Sequence, residues 1–205
     1  MGGLSNYTAA GTKAPATINK LLQTLRTILE RAVLDGWLEE NPADHVKSVR
    51  VPSHSRSILS RSEAVKLLAI PDPWSDFRHY AINVLAATTG IRMGEVRALL
   101  AENVKPNHIE IRRSWEQGYG PRPPKADSAR DVPISPKASS ILFKVIEETQ
   151  PAGLMFFGRG DMDTPMSKGV IEKHLRHALC TIGIPVVEQE RRHLTFHAWR
   201  LTSYS

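Results

Sequence analysis

The chain has one cysteine, Cys180, in 205 residues. That excludes an internal disulfide and any metal site built from several thiolates. No stretch approaches the roughly 18 consecutive apolar residues that span a bilayer, so no membrane segment is expected. The first residues, MGGLSNYTAAGTKAPAT, lack the apolar core of a secretory signal, and a reducing, cytoplasmic setting is the expectation. Internal repeats and long low-complexity tracts are absent as well. What is present is ordinary for a globular protein, with 41% hydrophobic and 23% charged residues. The length suits one or two domains with a real core.

Basic residues exceed acidic ones, 27 to 21, for a net charge of +6. A basic surface is drawn to polyanions, DNA being the commonest, although many basic proteins bind none. The segment His45–Arg61 carries Lys47, Arg50, Arg56 and Arg61 with no acidic residue. It reads either as a solvated connection or as a basic strap along a phosphate backbone.

Hydrophobic periodicity gives the organisation. Ile18, Leu21, Leu22, Leu25, Ile28, Leu29, Ala32 and Val33 form the stripe of a helix over Thr17–Leu38, one that needs a partner to bury it. Ser60–Glu63 is a capping box for a short helix. Asp72-Pro73 predicts the start of another, running to Gly90, and Ile91–Leu100 reads as a further helix. The period then changes. His108–Trp115 alternates like a strand, a turn-rich stretch follows, and Ala126–Ile134 is again extended, so a hairpin is expected. Ser135-Pro136 and Ser167 each open a helix, with Leu154–Phe157 a short apolar piece between them. A last helix is expected to begin near His193.

Three local patterns carry chemistry. In Thr89-Gly-Ile-Arg-Met-Gly-Glu95, Arg92 opens a helix where backbone N–H groups suit a phosphate oxygen, and Glu95 is placed to orient it. An isolated Arg-x-x-Glu is more often a surface ion pair. Lys125, at the hairpin, is either a solvated charge or a proton donor to a leaving alkoxide. In His197-Ala-Trp-Arg200, the two outer residues project from one helix face and can grip two oxygens of one phosphate. His193 is read as structural.

Taken in order, these boxes resemble the tyrosine recombinases of the phage-integrase family over roughly Thr17 to Arg200. The resemblance implies a mainly helical α+β fold: an integrase-type catalytic domain with a small antiparallel sheet, preceded by part of a helical core-binding domain. Residues 1–14 would be a frayed N-terminus, 15–46 the last helix of the core-binding domain, 47–59 a basic linker, and 60–205 the catalytic domain. It further implies phosphoryl transfer with no metal or small-molecule cofactor. Arg92, His197 and Arg200 would hold the scissile phosphate, Lys125 would protonate the 5′ oxygen, and a tyrosine would form a 3′-phosphotyrosine. Arg112, Arg122 and Arg130 join the strap residues as expected DNA contacts. The partner would be double-stranded DNA, with the full-length protein a tetramer on it.

The match departs from the family after Arg200. The family's tyrosine lies some thirty residues further on, and Leu201 stands where relatives often have His. Tyr204 would lie one turn past Arg200 on the same helix, so it is not expected to be the nucleophile. The expectation is therefore a recombinase shortened at both ends and inactive in cleavage. A non-catalytic DNA-binding module, a type IB topoisomerase relative and a helical scaffold are the alternatives.

Overall fold

The computed structural model describes residues 13–51, 58–69, 71–124, 128–158 and 160–202. It divides into two compact units, Met1–His54 and Ser55–Ser205.

In the first unit, helix α1 spans Pro15–Leu34, with Pro15 in its first turn, where the missing N–H costs nothing. It stops four residues short of the expected Leu38. The N–H of Gly36 turns back to Val33 O and that of Trp37 to Ala32 O, so the last carbonyls are closed off by the turn. Only Leu22 of the stripe is buried, while Leu21, Leu25 and Ile28 stay exposed. Residues 47–51 have no regular structure, yet they are fixed to α1. The Asn19 side chain donates to Val49 O and accepts from Val49 N, both at 2.8 Å. Arg26 donates to the carbonyls of Ala43 and Val46.

In the second unit the elements run α2 Arg61–Leu68, α3 Phe77–Thr89, α4 Met93–Arg97, β1 His108–Ile111, β2 Ser114–Glu116, β3 Gly120–Arg122 and β4 Arg130–Pro133. They continue with α5 Pro136–Thr149, β5 Phe157–Gly158, β6 Asp161–Pro165, α6 Lys168–Thr181, α7 Val186–Arg191 and α8 Ala198–Thr202. The result is an α+β fold, mainly helical. Among the described residues the strands form three separate antiparallel pairs, β1–β4, β2–β3 and β5–β6. Helix α3 is the centre. Its residues His79–Ala86 are all buried, and α2, α5, α6 and α8 pack around it. It is buried on all sides despite carrying His79 and Asn83, and the core gathers on it with Leu67, Val96, Ile109, Leu142, Phe156, Leu175 and Trp199.

Three sequence expectations need correcting here. The cap of α3 is Asp76, whose Oδ1 accepts from Arg78 N at 2.8 Å, not Asp72. Pro71–Trp74 is instead a turn that buries the Trp74 ring and lets its Nε1 donate to Leu67 O. The helix after Gly90 is only Met93–Arg97, because Leu99 and Leu100 leave it to pair with Met155 and Leu154. The expected single hairpin is two. β1 pairs with β4 (Ile109 opposite Val132), and the strand breaks at Arg112-Arg113, after which β2 and β3 pair around a tight turn.

Candidate phosphate-binding site

A cavity of about 420 Å³ lies where the start of α4, the start of α6 and the turn into α8 meet. Arg92, His197 and Arg200 line it together, with Lys168 and Glu172 from α6 and apolar walls from Ile91 and Phe196. Lys125 falls outside the described residues, as do Arg56 and Tyr204.

Arg92 is placed by a helix end and a helix start. Gly90 closes α3 with φ +63°, a backbone that a residue with a Cβ adopts only at a cost, and its N–H returns to Ala86 O. Two residues later Arg92, in extended backbone, is the cap of α4. Glu95, 1% exposed, accepts from the Arg92 backbone N–H at 3.0 Å and from Arg92 Nη1 at 3.0 Å. It also receives two bonds from Arg130, Nη1 at 3.0 Å and Nη2 at 2.9 Å. Burial pushes the Glu95 carboxyl up. The hydrogen bonds from Arg130 and Arg92 outweigh it and hold the group below its ordinary value. One buried anion thus orients two guanidinium groups, leaving a net positive charge, and Arg92 lines the cavity.

Gly94, the second residue of α4, has a packing role. A Cβ there would meet Ser114 Oγ at 2.5 Å and Trp115 O at 3.0 Å. The missing side chain is what lets α4, which Arg92 caps, lie directly against β2.

His197 sits on the turn that leads into the short helix α8, and Arg200 lies within that helix. The N–H of Arg200 bonds back to His197 O at 3.1 Å. Phe196 and Trp199 point inward and are 3% and 1% exposed, whereas His197 is exposed and Arg200 half-buried. Two bonds fix the turn from outside it. Trp199 Nε1 donates to Asn83 Oδ1 on α3 at 2.7 Å, and Phe196 N donates to Glu172 on α6 at 3.3 Å. Upstream, Arg192 makes a paired contact with Glu63 of α2 at 2.7 and 2.9 Å. The expected helix from His193 does not begin until Ala198. His193 itself has φ +51°, where the chain turns into the following segment.

The remaining predicted contacts are not in this cavity. Lys47 and Arg50 are exposed in the first unit, and Arg61 is exposed at the start of α2. Arg112 pairs with Asp131 at 2.7 Å, and Arg130 is engaged by Glu95. Arg122 stacks over the Tyr119 ring and lines a neighbouring cavity. The same Arg112 pairing accounts for a cluster of His108, Glu110 and Asp131, whose ligand atoms come close enough to hold a metal.

Four residues of the site are ones that sequence reasoning missed: Lys168, Glu172, Asn83 and Trp199. One signal was available for Lys168. It is the first residue of a 14-residue helix with no acidic residue in its first turn, where helix polarity disfavours a cation.

The sequence model of the phage integrase family matches residues 57–204. Among curated proteins the chain is similar to the tyrosine recombinase XerD of Lacticaseibacillus casei, 26% identical over 185 residues. That match covers 84% of this chain and 58% of that protein. It is also similar to the tyrosine recombinase XerC of Thermodesulfovibrio yellowstonii, 29% identical over 138 residues, 65% of this chain and 42% of that protein. The chain therefore spans about half the length of these relatives. Among solved structures, the Tn1549 transposon integrase in complex with a circular intermediate DNA superposes with a TM-score of 0.78. The identity is 18%, over 96% of this chain and 68% of that one. A lambda integrase tetramer bound to a Holliday junction gives 0.66 at 18% identity, over 97% and 55%. The helix-centred α+β architecture is that of these integrases, and with the family's sequence model covering most of its residues, the chain belongs to the phage integrase family of tyrosine recombinases.

Proposed function

We propose that this chain is the phosphate-gripping part of a site-specific recombinase that breaks and rejoins duplex DNA through a 3′-phosphotyrosine intermediate. The observation that carries the reading is the common cavity of Arg92, His197 and Arg200, which a module using its cations only for backbone contacts has no reason to assemble. In this reading a scissile phosphate sits in the cavity. Arg92 and Arg200 neutralise its non-bridging oxygens, and His197 adds a further hydrogen bond, so that charge developing on a pentacoordinate phosphorus is met by donors already in place. Lys125 supplies the proton to the departing 5′ oxygen. Assembly as a tetramer on DNA belongs to the same reading.

No tyrosine lines the cavity among the described residues. Tyr80 is buried in α3, its hydroxyl bonded to Leu68 O, and Tyr119 is on the β2–β3 turn. For the 205 residues the reading is binding to duplex DNA without cleavage.

Fluorescence anisotropy with a duplex of mixed sequence tests the first half. Binding is expected to weaken steeply with salt, and Arg92→Ala and Arg200→Ala each to reduce it. Salt-insensitive retention, or none, would sink the reading. A suicide duplex of randomised sequence, followed by a denaturing gel, tests the second half. A covalent adduct lost in Tyr204→Phe would overturn the absence of cleavage.

A further inference from the structure

Beside the phosphate cavity lies a second one of about 600 Å³, and the two share Met93, Gly94 and Lys168. The second is bounded by β2 and β3, with Trp115 and Pro123 as apolar wall and Arg122 at its side. We propose that this second cavity seats the neighbouring phosphodiester of the same DNA strand, and that Lys168, standing between the two cavities, joins them into one backbone track. The proposal rests on the duplex-binding reading and adds a subsite and a residue to it.

Three observations carry it. Lys168 lines both cavities, is exposed, and has no hydrogen bond or ion pair among the described residues. It occupies the first turn of α6, the positive end of the helix, with no acidic residue in that turn; Glu172, one turn on and lining the first cavity, is engaged by Phe196 N and makes no ion pair with it. An ammonium in that position gains nothing from the helix and is stabilised by an anion placed between it and the orphan N–H groups. Third, the second cavity repeats the composition of a backbone subsite. Arg122 lines it, held 4.5 Å over the Tyr119 ring and 3.7 Å from Glu116, which lines the cavity too, and Trp115 and Pro123 add apolar surface against which a deoxyribose can pack.

The test uses the whole chain, a mixed-sequence duplex and a salt titration between about 50 and 200 mM. Each phosphate contact contributes about 0.9 to the slope of log affinity against log salt. Lys168→Ala and Arg122→Ala are each expected to lower that slope by about 0.9 and to weaken binding several-fold, and Lys168→Arg to restore it. Lys173→Ala, which removes an exposed cation from the same helix away from both cavities, is the control and should leave the slope unchanged. If Lys168→Ala or Arg122→Ala keeps the parent slope while Arg92→Ala lowers it, the second subsite is wrong and the duplex-binding reading stands. If Lys173→Ala lowers the slope as much as Lys168→Ala, the effect is general charge and the proposal is again overturned. If the parent chain does not bind, or Arg92→Ala has no effect, the underlying reading itself fails.

Discussion

Trp199 Nε1 donates a 2.7 Å hydrogen bond to Asn83 Oδ1, and both residues are buried, at 1% and 0% exposed. Trp199 lies between His197 and Arg200, so this bond ties the turn that carries them to the central helix α3. Asn83 is itself oriented by a bond from its Nδ2 to His79 O at 2.8 Å. Trp199→Phe keeps most of the ring but leaves the Asn83 carbonyl oxygen buried without a donor. A loss of about 1–3 kcal/mol is expected in urea unfolding. Trp199→Ala adds a cavity and should lose about 3–5 kcal/mol. A Trp199→Phe protein as stable as its parent would show that the bond does not hold the turn.

Gly94→Ala forces a Cβ into Ser114 Oγ and Trp115 O. The serine can rotate away, but the backbone oxygen cannot, so α4 must shift from β2. A destabilisation of about 1–3 kcal/mol is expected, the range for overpacking. DNA affinity should fall further than stability does, because the shift moves Arg92. Equal affinity for parent and variant, measured at a temperature where both are folded, would contradict this.

His79 on α3 stacks on His174 of α6, ring centroids 3.7 Å apart and planes 14° from parallel. His79 is 4% exposed, and neither of its ring nitrogens has a partner among the described residues. Burial, then the neighbouring His174, pushes its pKa down to about 4. The unfolded chain, with an ordinary histidine pKa near 6.5, therefore binds more protons between about pH 6.5 and 4. Stability is complete above that window and falls as pH drops through it. Compared with His79→Phe, the parent should lose roughly 2 kcal/mol between pH 7 and pH 5, read as a difference in urea midpoints. Parallel curves for the two proteins would sink the claim.

Glu63 behaves in the opposite sense. The paired hydrogen bonds from Arg192 lead the effects that hold its carboxyl at about 2, against an ordinary 4.5. The stability from this pair is present above the ordinary value and is lost as pH falls from about 4.5 through about 2. Both side chains are largely covered, at 21% and 15% exposed. Glu63→Gln should therefore cost on the order of 2–3 kcal/mol at neutral pH, with the gap to the parent closing across that acid window. A gap that stays constant to pH 2 would contradict the assignment.

What the sequence revealed, and what it hid, follows from the range of each interaction. Capping signals act within one turn, so Ser60, Gly90, Ser135 and Ser167 marked helix ends correctly. Boundaries decided by distant partners did not show. Nothing near Leu99 announces that Met155, far along the chain, will take its carbonyl and end α4 early. Nothing near Arg112 announces the break into two hairpins. The site divides the same way. Arg92, His197 and Arg200 stand in local boxes and were legible. Asn83 and Glu172 act across the fold, on residues remote in sequence, and their neighbours give no hint of it. Trp199 was visible only as the filler of the His-x-x-Arg spacing.

The carboxylate shared by Arg92 and Arg130 also determines how substitutions at those two positions combine. Removing either arginine releases Glu95 to bond more fully with the other, and removing both strands a buried anion. The two single losses will therefore not sum to the double loss, and a double-mutant cycle should return a sizeable coupling energy. Arg92 can then be assigned no free energy of its own: whatever it contributes at the cavity mouth is defined only for a stated residue at position 130.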